Sequence, residues 1–165
     1  IKTFRADGTD ADALRREAGV LTLIHAASTS TLPADADNAT AAELCLRLAH
    51  AALFATPPPS PAYHLVTSPL CEGGELYDRF VRDDDDDASA VGAWSEQCAA
   101  NAIRMALRAI AHCHARGVVH RDVKAQNFLW RDAAATILVL VDFGLSAPLT
   151  CTPFSSVCGT FACEY

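Results

Sequence analysis

Behind the apolar pair Val118-Val119 stand His120, Arg121, Asp122, Lys124 and Asn127, an imidazole, a guanidinium, a carboxylate, an ammonium and a carboxamide in one short stretch. Counted from Asp122, the ammonium and the carboxamide follow at offsets of two and five. No single helical or strand face holds that spacing, so a loop is the expected host. The loop runs into Phe128-Leu129-Trp130, a short turn and the β-rich run Thr136-Ile137-Leu138-Val139-Leu140-Val141, which together predict a hairpin. The far end of that hairpin carries Asp142-Phe143-Gly144. A returning strand therefore brings a second carboxylate to the neighbourhood of Asn127, and an oxygen-rich set of this kind suits a hard cation such as Mg²⁺. The blander reading makes Asp122 and Asp142 solvated turn carboxylates and His120 a core histidine. It leaves unexplained a spacing that chance produces at a rate on the order of one in ten thousand.

Such a loop needs a rigid mount. Residues 96 to 116 supply the clearest helical pattern, with Ser95 as N-cap, Gly117 as stop, and Ile103, Leu107, Ile110 and His114 at helical spacing. Adjacent positions on a helix diverge, so His112-Cys113-His114 does not form a zinc site with His120. Near the start, Ile1-Lys2-Thr3-Phe4 has strand composition and residues 6 to 10 read as a turn. A helix is expected from Asp10 or Asp12, carrying Leu14, Leu21 and Ile24 on one stripe. Glu17 lies on the same stripe, where a carboxylate needs a cation, and Lys2 is the only lysine in that first segment. Gly19 in this helix costs about 1 kcal/mol relative to alanine. Residues 26 to 43 read as an insertion. A strand-like or mixed apolar segment spans Leu44 to Ala55, and the prolines between Thr56 and Pro61 read as an extended connector to a strand at Tyr63–Thr67.

Half of the chain is apolar, enough for a core, and the net charge of −7 is concentrated in the solvated run Asp83 to Asp87. No basic stripe is present, so nucleic acid is not an expected partner. The seven cysteines include no C-x-x-C pair, the pattern of reduced thiols in an intracellular, cytoplasmic protein. No apolar run is long enough to span a bilayer and no signal peptide is visible.

The pattern H-R-D-x-K-x-x-N followed by D-F-G closely resembles the catalytic core of the eukaryotic protein kinases. Ser68-Pro69-Leu70-Cys71-Glu72-Gly73-Gly74-Glu75-Leu76 is similar to the hinge of that family, in the L-C-x-G-G-E-L form of calcium- and calmodulin-dependent kinases. The resemblance implies an α+β, two-lobed kinase-like fold, incomplete here: a small-lobe portion over 1–67, a hinge over 68–76, and the start of the large lobe over 77–165. It implies ATP and Mg²⁺ as cofactors and Ser/Thr hydroxyls of protein substrates as acceptors. Asp122 would orient the substrate hydroxyl and Lys124 would stabilise charge on the transferred phosphoryl group. Asn127 and Asp142 would hold Mg²⁺. Lys2, oriented by Glu17, would grip the α- and β-phosphates. Adenine would meet the Pro69 carbonyl, which proline retains, and the Cys71 N–H, with Glu75 near the ribose. Thr67 or Ser68 would guard the back of the pocket. His120, Phe143 and Leu21 would share an internal column.

The same resemblance makes residues 147 to 158 an activation loop, with Thr150, Thr152, Ser155 and Ser156 as phosphosites and Arg121 as their partner. Thr160 of Cys158-Gly159-Thr160 would bond near Asp122. The chain then departs from the family: Phe161-Ala162-Cys163-Glu164-Tyr165 replaces the expected P-x-Y, either with Cys163 in place of the tyrosine or with two residues inserted. Calcium or calmodulin control would lie in segments outside this chain. Residues 1–165 alone are expected to be inactive, lacking the glycine-rich loop and most of the substrate platform. The alternatives are a nucleotide-binding pseudokinase scaffold and a non-functional fragment.

Overall fold

The computed structural model describes residues 2–5, 9–26, 41–45, 47–54, 62–81 and 95–149. The connector prolines, the acidic run, most of the insertion and the activation-loop assignments, Thr160 included, lie outside the described residues. Three strands, β1 (Lys2–Arg5), β2 (Arg47–Phe54) and β3 (Ala62–Ser68), form an antiparallel sheet in the order β1-β3-β2. Leu65 of the central strand sits opposite both Lys2 and Ala51 and is fully buried.

Helix α1 (Thr9–His25) starts inside the stretch expected to be a turn and lies against this sheet. Its inward face is Glu17, Val20, Leu21 and Ile24, all buried, at the spacing of three and four that one helical face requires. Full burial of a side chain such as Leu21 or Ile24 contributes roughly 1.5–3 kcal/mol. A 3-10 turn, Ala41–Leu44, then leads through the buried Cys45 into β2.

Helix α2 (Leu76–Val81) is short, whereas α3 (Glu96–Ala115) is the long mount. The Ser95 hydroxyl accepts from the Cys98 N–H at 3.2 Å, a standard N-cap that satisfies one of the helix's orphan donors. Gly117, at φ +67°, ends the helix where a side chain would strain the backbone. The buried face of α3 differs from the expected stripe. Ala102, Met105, Ala109, His112 and Cys113 face inward, while Ile103 and Leu107 are exposed. Helix α3 contacts the Ala41–Leu44 turn, and Ala109, whose carbonyl lies 3.6 Å from the Cys45 thiol just after that turn, is a small side chain that permits close approach.

The end of α3 also clasps the end of α1. His112 Nε2 donates to the Ile24 carbonyl at 3.0 Å, and the Arg116 guanidinium donates to the Ala26 carbonyl. These are C-terminal carbonyls of the kind a helix leaves without internal partners. Beyond α3 come two short two-stranded ladders: β4 (Val118–Val119) with β7 (Ala147–Pro148), and β5 (Phe128–Trp130) with β6 (Leu138–Leu140). The second is the expected hairpin, with its return strand starting at Leu138 rather than Thr136. Asp132 accepts from the Thr136 N–H and hydroxyl and so draws Thr136 into the turn. Leu138, Val139 and Leu140 are all buried, and one core joins Leu21, Ile24, Leu44, Leu65, Phe128, Trp130, Leu140 and Phe143.

Candidate active site

The loop between β4 and β5 is held from three sides. His120 Nε2 donates to the Val141 carbonyl at 3.0 Å, and the Asp122 N–H donates to His120 Nδ1 at 3.3 Å. One ring nitrogen donates and the other accepts, so the pair of bonds selects the neutral Nε2–H tautomer. Burial, opposed by the Val141 bond and by the charges of Asp122 and Asp142, lowers the ring's pKa below its ordinary 6.5 and favours that same neutral form. The third hold is Arg121, in the left-handed region at φ +67°, whose Nε donates to the Leu145 carbonyl at 2.6 Å.

Asp122, Lys124 and Asn127 converge. One Asp122 oxygen, Oδ2, lies 2.9 Å from Lys124 Nζ and accepts from Asn127 Nδ2 at 2.9 Å. The same Nδ2 donates to the Asp122 backbone carbonyl at 2.8 Å. Both amide hydrogens of Asn127 are thus turned to Asp122, which orients the carboxamide oxygen, the end able to ligate a cation, away from it. Asn127 sits in a 3-10 turn, Ala125–Asn127, which explains how offsets of two and five reach one point without a regular element.

The hairpin brings Asp142 into the same neighbourhood. The Val141 N–H donates to the Asn127 carbonyl at 2.9 Å, joining the residue before Asp142 to the metal-ligating candidate. Asp142 itself takes a left-handed conformation, φ 57° and ψ 74°, and its Oδ1 accepts from the Gly144 N–H at 3.4 Å as the cap of the 3-10 turn Phe143–Leu145. That turn drops Phe143 into the core beneath the loop, edge-on to His120 with ring centroids 4.9 Å apart. Leu21 belongs to the same buried cluster. A carboxylate and a carboxamide oxygen presented here form a hard donor set that fits Mg²⁺.

The hinge candidates form an extended run that hydrogen-bonds to the hairpin. The N–H groups of Glu72 and Gly73 donate to the Arg131 and Trp130 carbonyls at 3.2 and 2.9 Å, and Trp130 N–H donates to Gly74 at 2.9 Å. Glu75 is bridged to Leu129 and its N–H donates to Asp78. Pro69 follows a cis peptide bond, and the Cys71 thiol points to its carbonyl at 3.8 Å, while burial pushes that thiol's pKa up. Thr67 alternates in phase with the buried Leu65, and Ser68 is exposed.

Glu17 is buried on α1, and Lys2 lies on β1 opposite Leu65. The Lys2 side chain lies outside the described residues. Sequence reasoning passed over Ser146, which is buried and whose hydroxyl donates to the His120 carbonyl at 3.2 Å. Its position directly after Asp142-Phe143-Gly144-Leu145 was the available signal.

The calcium-dependent protein kinase 21 of Oryza sativa subsp. japonica is 45% identical over 84 residues, covering 50% of this chain and 13% of that protein. The calcium-dependent protein kinase 14 of Arabidopsis thaliana is 44% identical over 86 residues, covering 52% of this chain and 14% of that protein. The chain therefore spans only a small part of the length of these relatives. A family model described as the protein kinase domain matches residues 53–163, a range that contains the hinge run, α3, the loop and the hairpin. With two thirds of its length under that match, and with the loop and the Asp142 turn folded onto each other, the chain belongs to the protein kinase domain family.

Proposed function

We propose that this chain is the central part of a protein serine/threonine kinase that transfers the γ-phosphoryl group of ATP to hydroxyls of protein substrates. The observation that carries the reading is the convergence of Lys124 Nζ and Asn127 Nδ2 on Asp122 Oδ2, each at 2.9 Å. Phosphoryl transfer depends on positioning and charge neutralisation. Asp122 orients the acceptor hydroxyl and takes its proton. Lys124, anchored by Asp122, places a cation beside the group in transfer, and a lysine at this position resembles serine/threonine kinases. Asn127 and Asp142 would hold Mg²⁺, whose charge would neutralise that of the phosphates. Lys2 and Glu17 serve the α- and β-phosphates. The Pro69 carbonyl and Cys71 N–H serve the adenine, Glu75 the ribose, and Thr67, in phase with Leu65, closes the back of the adenine site. Calcium control, by analogy with the names of the relatives, belongs to segments beyond this chain.

The test is Asp122→Asn in the full-length protein. Mg-ATP-dependent phosphorylation of a serine- or threonine-containing protein should fall by about two orders of magnitude or more, the scale of losing a positioned base. Phosphorylation at the unsubstituted rate would refute the role of Asp122. A full-length protein that binds ATP but transfers nothing, with or without the substitution, would favour the scaffold alternative.

A further inference from the structure

The seam between the Ala41–Leu44 turn and α3 holds two thiols that the kinase reading does not use. Cys45 and Cys113 are both fully buried, and their sulfurs lie 3.8 Å apart across 68 residues of sequence. Cys45 is fixed on the other side by a bridge to Leu140, and its thiol also lies 3.6 Å from the Ala109 carbonyl. The two sulfurs face one another directly, with only about 1.8 Å of approach separating them from disulfide bonding distance. The exposed Cys98 and the half-buried Cys71 are not placed against a second sulfur among the described residues.

We propose that Cys45 and Cys113 form a modification site, a dithiol that a peroxide oxidises to an intramolecular disulfide stapling the entry of β2 to α3.

The hydrogen bond between the thiols raises Cys45 well above the ordinary thiol value, with burial adding to it, and lowers Cys113. Cys113 is therefore the thiol of the pair that gives up its proton more readily, and Cys45 the one that keeps it. In the first step the Cys113 thiolate attacks one peroxide oxygen. The O–O bond breaks, hydroxide leaves, and Cys113 becomes a sulfenic acid. In the second, Cys45 sulfur attacks the Cys113 sulfur, the S–O bond breaks, and the Cys45 proton departs with that oxygen as water. Two thiols are oxidised and one peroxide, with the proton Cys113 had already released, ends as two waters. Because neither sulfur is exposed, the reaction waits on local opening of the seam, so its rate reports how often the turn parts from α3.

The native full-length chain is treated with hydrogen peroxide without denaturant, remaining thiols are alkylated, and the digest is mapped by mass spectrometry without reduction. The expected product is a Cys45 peptide joined to a Cys113 peptide, two hydrogens lighter than their sum and separated by a phosphine. The oxidised protein should melt several degrees higher, as a cross-link that closes a long loop predicts, and this shift should vanish in Cys45→Ala and in Cys113→Ala. The peptide map needs neither variant, so a variant that fails to fold leaves the test intact. Recovery of both peptides singly alkylated, over-oxidation of Cys113 with Cys45 still free, or a joined pair formed only in unfolded protein would overturn the proposal.

Discussion

Asp122 owes its orientation to neighbours that contact it directly and to one that works through the backbone. Lys124 and Asn127 meet its carboxylate, while His120 holds its N–H and ties the loop to Val141. Gly73 shows how little slack the surroundings have. A Cβ there would sit 2.2 Å from the Asp132 carbonyl oxygen and 2.5 Å from Trp130 Cβ, and the first of these is backbone, which cannot swing aside. Gly73→Ala should therefore push the hinge run off the hairpin and destabilise the protein by about 1–3 kcal/mol, the usual scale of overpacking. A denaturant midpoint equal to that of the parent protein would show that the hinge yields freely.

At the scale of elements, α1 buries one face and carries a flaw on the other. Glu17 and Leu21 point inward, whereas Gly19 is exposed and a Cβ built on it meets nothing within 4 Å. No packing reason for the glycine exists among the described residues, so its backbone entropy is a plain cost to the helix. Gly19→Ala is expected to stabilise by about 0.5–1 kcal/mol in thermal or urea unfolding. A loss of stability would reveal a contact at Gly19 made by residues other than those described. In α3 the corresponding contribution is the clasp on α1, since His112 and Arg116 reach carbonyls at the end of the helix that bears Glu17.

For the whole molecule, two buried histidines link stability to pH. Burial lowers the pKa of both His112 and His120 below 6.5, so the unfolded chain binds more protons than the folded one as pH falls through that value. Stability is then fully present above the unfolded pKa and declines on acidification, as the imidazoles must stay neutral to remain folded. The urea midpoint should drop between about pH 7.5 and about pH 5.5, and His120→Gln should flatten that slope. A midpoint that rises on acidification over this range would contradict the assignment. Protonating His120 Nδ1 also removes the acceptor that holds the Asp122 N–H. Among the described residues, no helix is long and apolar enough to cross a membrane.

The side-chain types and their order along the chain were legible in the sequence. Side-chain types at the positions from His120 to Asn127, the β-branched run before Asp142, Ser95 and Gly117 around α3, and the Leu21–Ile24 stripe are local signals, set by spacing and by single-residue conformational preference. What required the tertiary structure was every choice between equivalent local options. Helix α3 has apolar residues around much of its circumference, and periodicity alone favoured the larger ones, Ile103 and Leu107. Packing buried the smaller Ala102 and Ala109 instead, and at Ala109 the close neighbour is Cys45 at the end of the Ala41–Leu44 turn, because close approach outweighs side-chain size when two elements must touch. The tautomer of His120, the turning of Asn127 toward Asp122, and the meeting of Cys45 with Cys113 across 68 residues depend likewise on partners distant in sequence. A sequence specifies which groups a chain owns; only packing in three dimensions determines which of them share a hydrogen bond.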